Sequence, residues 1–248
     1  MENVITFENK PELNDPVFIE GLPGVGNVGK IAADYMKEKL NATRFANVYS
    51  RHLPPQVNLD EDCVASLVSN ELWYARDVNG KDVIFLLGDY QGITPEGQFD
   101  LAVEIMTLLI EMRVSRIFTL GGYGTGQMVE EPRVLGAVSS LSVRTELEKH
   151  GVTFSQGEPG AGIVGASGLL LGMAKIKGID AACLMGETSG YFQDHKSAGA
   201  LLKVLKSALG FEIDMNDLEE KSKQLAALTE KVKEYEVTQD KESLGYIG

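Results

Sequence analysis

Apolar positions along the chain follow two periods in turn. Val17, Phe18 and Ile19 form a continuous apolar run that ends at Glu20 and the loop Gly21-Leu22-Pro23-Gly24. Val28, Ile31, Ala32, Tyr35, Met36 and Leu40 then recur at the spacing of one helix face. Strand, glycine turn and helix make a first βα unit. Residues 44–50, 64–68 and 72–78 read as strands. Asn79-Gly80, set between Trp73-Tyr74-Ala75 and Val83-Ile84-Phe85-Leu86-Leu87, is the two-residue turn signal of a hairpin. Thr94 and Pro95 open a helix over 95–112, with Leu101, Ile105, Leu108, Leu109 and Met112 on its stripe. Residues 116–120 read as a buried strand ending at Gly121-Gly122, and 135–138 as another strand. Helices are predicted over 142–149, closed by Gly151, over 165–177, and over 196–209, stopped by Gly210. Residues 180–186 read as a strand between the last two.

This alternation over 15–210 predicts a three-layer α/β/α domain around a mixed, mostly parallel sheet. The hairpin supplies the antiparallel part. The core domain is expected to span 1–210, a C-terminal helix 211–235 and a flexible tail 236–248. In that helix Leu218, Leu225 and Val232 stand seven apart, with Leu228 and Tyr235 between these positions. Fewer than three heptads fall short of a stable coiled coil, so packing on the chain's own core and packing on a neighbouring subunit both stay open.

The chain has 248 residues, 44% of them hydrophobic, enough to bury roughly 70–75% of the unfolded surface without a metal or disulfide staple. Its 36 acidic and 23 basic residues leave a net charge of −13, which repels nucleic acid and anionic membrane surfaces. The longest apolar stretch, 162–174, is broken by glycines and is too short to span a bilayer. The start, MENVITFENK, has neither a basic nor an apolar leader pattern. A cytoplasmic protein is expected. Cys63 and Cys183 both sit in apolar runs and are read as buried thiols. Three scattered histidines offer no metal cluster, and no cofactor is expected.

Gly24, Gly26 and Gly29 fit G-x-G-x-x-G between a strand and a helix, the pattern that lets a pyrophosphate approach a helix start. The acidic residue that should follow about 20 positions on is replaced by Asn47-Val48-Tyr49-Ser50. Three further glycine-rich segments begin at Gly88, Gly121 and Gly186, each after a strand. In an open α/β sheet such loops meet at the carboxyl ends of the strands, where ligands bind. Gly24, Gly26, Asn27, Gly29, Tyr90, Gln91, Gly122, Tyr123, Glu187 and Tyr191 therefore form a candidate ligand or partner rim. Catalytic sets are weak. Gly165-Ala166-Ser167-Gly168 is one residue short of a G-x-S-x-G elbow. Cys183 and His195 lack the electropositive, exposed setting of a reactive pair, so no catalytic residue is assigned.

Four segments in order carry a family resemblance: Gly21-Leu22-Pro23-Gly24-Val25-Gly26-Asn27-Val28-Gly29, Gly121-Gly122-Tyr123, Gly162-Ile163-Val164-Gly165-Ala166, and Leu184-Met185-Gly186-Glu187-Thr188-Ser189-Gly190-Tyr191. Together they resemble the archaeal and bacterial proteins related to the second subunit of the proteasome assembly chaperone. The resemblance implies a fold like the purine nucleoside phosphorylases, a homo-oligomer and no established catalytic activity; a purely structural oligomer with a related partner chain is a further reading. It implies the 20S proteasome or its α subunits as partner. Family members that bind proteasome rings do so through a C-terminal hydrophobic-Tyr-any signature. Here Leu244, Tyr246, Ile247 and Gly248 stand in that region, with Tyr246 third from the end and Gly245 before it. The resemblance thus implies a proteasome assembly chaperone-like or activator-like protein docking through its tail. The alternative is a small-ligand binder or an enzyme of nucleoside or phosphate type that uses the glycine-rich rim.

Overall fold

The computed structural model of the chain describes residues 3–158, 160 and 162–223. Eleven strands and five α-helices are assigned over residues 3–213. The central strands are β2 (Val17–Gly21), β7 (Lys81–Leu87), β8 (Arg116–Gly124) and β11 (Asp180–Thr188). They lie in the order β7-β2-β8-β11 and run parallel. On one side β6 (Asn70–Val78), β3 (Thr43–Tyr49) and β1 (Val4–Phe7) extend the sheet antiparallel. On the other, β9 (Val134–Val138) pairs antiparallel with β11 and parallel with the short β10 (Val152–Thr153). The sheet is mixed, as predicted, but only half of its pairings rather than most are parallel, those at the centre and the one next to β10, because β6, β3, β1 and β9 all join antiparallel.

Helices α1 (Val28–Lys39) and α5 (His195–Leu209) pack together, as do α2 (Pro95–Glu111) and α4 (Ala166–Lys177). Strand alternation feeds this layering. Phe18, Ile84, Leu86 and Ile117 share a buried cluster with Leu101, Ile105, Leu109, Leu170 and Ala174 of α2 and α4. Helix α3 (Leu141–Glu148) packs beside β9 and β10.

Local chemistry sets the boundaries. The Thr94 hydroxyl accepts from Gly97 N at 3.0 Å and caps α2, with Pro95 at its first position. Asn79 and Gly80 both take positive φ, 54° and 81°, as the turn between β6 and β7 requires. Gly210, at φ 69°, ends α5. Two expectations are corrected. Cys63 is exposed, because 65–67 forms β5 (Ala65–Leu67), which pairs only with β4 (Val57–Leu59) in an exposed hairpin. Cys183 is buried, as expected. Gly121-Gly122 does not end its strand: β8 runs on to Gly124 and β11 on to Thr188.

The reason lies in close packing. A Cβ on Gly29 of α1 would collide with the carbonyl of Leu120, and one on Gly122 with the carbonyl of Val25. Chain therefore lies directly against the backbone of β8 at both points. From residue 214 the chain forms a second unit, helical over 216–223 and carrying Leu218. Leu225, Leu228, Val232 and Tyr235 lie outside the described residues, as does the tail with Leu244, Tyr246, Ile247 and Gly248.

Opposite responses to one substitution test this packing. Gly29→Ala should lower unfolding stability by about 3 kcal/mol, because the neighbouring atoms are backbone. Gly172→Ala, in an exposed part of α4 with open space around it, should raise it by about 0.5–1 kcal/mol. Urea denaturation midpoints at unchanged slope would read both.

Candidate functional site

The glycine-rich segments converge where the sequence places them, at the carboxyl ends of β2, β7, β8 and β11. Loop 22–27 leaves β2 and enters α1 through a 3-10 turn, Val25–Asn27, in which Gly26 and Asn27 take positive φ of 62° and 49°. This turn lies on Gly122 and beside Thr188, whose hydroxyl a Cβ on Gly26 would meet at 2.9 Å. Gly190 sits against the side chain of Val25. Asp194 N donates to Gly26 O at 2.9 Å, and Thr125 N donates to Thr188 O at 2.8 Å. Gly24 faces open space.

Gln91 ties the rim to α4. Its Nε2 donates to Pro23 O at 2.7 Å, and its Oε1 accepts from Ala166 N at 3.0 Å. Gly29 belongs to helix packing rather than to the rim surface. Tyr90 turns aside, its hydroxyl accepting from Gln56 Nε2 at 2.8 Å. Tyr123 is half-buried on β8, and Tyr191 stands exposed on the 189–194 loop. Glu187 lies within β11 and is not free. It accepts from Arg133 N at 3.0 Å, from Arg133 Nε at 3.0 Å and from Arg133 Nη2. Arg133 also pairs with Glu158. The Arg133 guanidinium holds the Glu187 carboxyl below its ordinary range, against the opposing effect of burial.

Beneath the rim lies a group that sequence reasoning passes over. Glu20 is fully buried on β2, on the side facing α4. Its Oε1 accepts from Leu22 N at 3.0 Å and its Oε2 from Ser167 Oγ at 2.7 Å. Thr119 donates to Ser167 O at 3.2 Å, and the buried Cys183 lies beside them. Burial raises the Glu20 carboxyl to about 7 despite these hydrogen bonds. Burial likewise pushes the Cys183 thiol up to about 12, which removes it as a nucleophile at neutral pH. The available signal for Glu20 was a carboxylate closing a wholly apolar run.

Ligand-sized space is not where the motif places it. The cavity lined by Leu22, Asn70, Gln91 and Leu170 holds about 20 Å³, far below the roughly 300–1,000 Å³ of small-molecule sites. A polar groove of about 310 Å³ lies beyond β7, lined by Lys30, Asp34, Arg44, Tyr49, Glu71 and Asp89. Its cations are already engaged. Lys30 pairs with Asp34 and Asp89, both at 3.1 Å, and Arg44 with Glu71 at 2.9 Å and Glu8 at 2.8 Å. A phosphate would have to displace these carboxylates. Among the described residues no group of His, Cys, Asp or Glu is arranged to hold a metal ion. No helix among them is long and apolar enough to cross a membrane.

Residues 18–233 match the PAC2 family. The chain belongs to that family. The crystal structure of Pyrococcus furiosus PbaB, an archaeal proteasome activator, superposes with a TM-score of 0.86 at 38% identity, covering 94% of this chain and 99% of the other. Pyrococcus furiosus PbaA, an archaeal homolog of proteasome-assembly chaperone, superposes at 0.76 with 26% identity over 98% and 99%. An uncharacterised protein of Methanocaldococcus jannaschii is 37% identical over 95% of this chain and 91% of its own. The PAC2 likeness takes in the whole rim.

Two measurements test the buried polar cluster. The folded state keeps the Glu20 proton up to about pH 7, whereas the unfolded chain releases it near 4.5. Folding stability should therefore fall by about 3 kcal/mol as pH rises from 4.5 through 7. Glu20→Gln should abolish that slope and be the more stable protein above neutrality, as read by thermal denaturation against pH. In a thiol titration, the native chain should react at Cys63 alone and the unfolded chain at both cysteines.

Proposed function

We propose that this chain is a non-catalytic, homo-oligomeric partner of the 20S proteasome, acting as an assembly chaperone or activator-like ring binder. The observation that carries this reading is the near full-length likeness to PbaB, an archaeal proteasome activator, at an identity well above that of fold-level resemblance. The rim supports it by what it spends its polar groups on. Gln91, Glu187 and Glu20 all hydrogen-bond within the chain, so each already has an internal structural role. A protein that works by binding another needs a stable surface rather than free catalytic groups.

Docking is proposed through the tail, with Leu244, Tyr246, Ile247 and Gly248 entering a pocket of the α-ring. One such tail binds weakly. Several tails on one oligomer gain about 10²–10⁴-fold by avidity when their spacing fits the ring. The 211–235 segment, with Leu218, Leu225, Leu228, Val232 and Tyr235, is proposed as the oligomer helix, packing on a neighbouring subunit.

Co-sedimentation with purified 20S proteasome decides the point. Full-length protein should bind, and a chain ending at Glu242 should lose at least about 100-fold in affinity. Binding that survives truncation transfers the contact to the folded surface. No binding by either form overturns the proteasome reading.

A further inference from the structure

The polar groove beyond β7 has the size and the lining of a ligand site. Its volume, about 310 Å³, reaches the lower bound of small-molecule pockets. Asn47 of β3 stands opposite Glu71 of β6, and Glu71 opposite Leu87 of β7, so the three side chains form one row across the sheet. Helix α1 walls the row on one side with Lys30 and Asp34, and Lys30 Nζ donates to Gly88 O at 3.0 Å. The β4–β5 hairpin walls it on another with Asn58. Strand alternation puts Asn58 and its partner Ser66 on one hairpin face, and Val57 and Leu59 on the other. The hairpin thus turns its polar face to the groove.

Charge selects the class of ligand. Two cations, Lys30 and Arg44, meet three carboxylates, Asp34, Glu71 and Asp89, which leaves the lining at −1. Each cation is already shared, Lys30 between Asp34 and Asp89 and Arg44 between Glu71 and Glu8. An anion would find no cation to spare and an excess of carboxylate. A cation finds the reverse. A carboxylate has about four acceptor sites. Lys30 engages Asp89 through Oδ1, and the Asp89 side chain is 68% exposed. Neutral groups complete the set. The side chains of Asn47, Tyr49, Asn58 and Ser69 make no hydrogen bond among the described residues. Their oxygens can accept N–H donors, and an ammonium brings three of these.

We propose that this groove binds a small organic cation, an amine or guanidinium compound. Asp89 and Asp34 receive its charge, and Asn47 and Asn58 accept from its remaining N–H groups. The net charge of −13 draws such a cation toward the chain. Nothing in this assignment depends on proteasome binding.

Isothermal titration calorimetry of the full chain with putrescine tests it. Salt of about 0.15 M screens diffuse attraction beyond about 8 Å. One equivalent should bind. Asp89→Asn should weaken the affinity at least about 10-fold, as expected for the loss of a charge-assisted hydrogen bond. Asn58→Ala, which removes no charge, should weaken it about 3-fold or more. Both positions are exposed, so the variants should fold, which circular dichroism verifies. Glu61→Gln, at an exposed hairpin carboxylate outside the groove, should leave the affinity unchanged. Several equivalents bound with equal affinity by every variant would reduce the effect to counter-ion attraction and overturn the proposal. The absence of binding with both putrescine and agmatine, its guanidinium counterpart, would overturn it too. Binding of phosphate or glucose that Asp89→Asn strengthens or leaves intact, with no amine bound, would overturn the ligand class.

Discussion

The carboxyl end of this protein is organised by the contact of backbone on backbone along β8. At Gly29 a helix, and at Gly122 a 3-10 turn, lie against the strand with no side chain between. Any Cβ at these points would force the layers apart, at a cost that dense interiors do not absorb. The contact fixes where α1 starts and turns Val25 outward. It also sets the seat on which the 189–194 loop rests through Gly190 and Asp194. In a dinucleotide site the same glycine spacing holds open room for a pyrophosphate. Here the chain's own Val25 carbonyl and Thr188 side chain occupy that room.

Filling the rim has an electrostatic consequence. Polar groups that would face a ligand face each other instead. Gln91 bridges two loops, Glu187 is held by Arg133, and Glu20 lies buried against Ser167 and Leu22 N. A fully buried carboxylate is expensive to ionise, so Glu20 keeps its proton to near neutrality. With these groups turned inward, the loops at the end of the sheet present both apolar side chains, Met128, Tyr191 and Phe192, and charged ones, Asp89, Glu130 and Glu131, to water.

Much of the fold was legible because it follows local rules. The Thr94-Pro95 cap, the Asn79-Gly80 turn and the Gly210 stop each have a mechanism that acts within a few residues. β1, β4 and β10 were not legible, since two to four residues carry no period to read. Cys63 was misplaced for a related reason: an apolar run looks the same whether its hairpin packs on a core or projects from it. Gly121, Gly122 and Gly124 read as loop, yet they continue β8, because the chain that packs on them, at Val25, lies far along the sequence. The rim residues were found as a set, but their state was not. Arg133, which holds Glu187 from 54 positions away, has no sequence signal that pairs the two.

The ligand rule for open α/β sheets meets a partly filled rim here. That rule rests on loops that leave a crevice at the strand ends. The rule's other half, that such loops are where variation and recognition concentrate, still applies. Where backbone contact fills the strand ends, at Gly29 and Gly122, the loops have no crevice to offer, and the open space lies aside, in the polar groove at Gly88 and Asp89. Placing Val25 against Gly122 and Gly190 fills the strand ends of β8 and β11, and the polar space that remains is pushed to the β7 side, at Gly88 and Asp89.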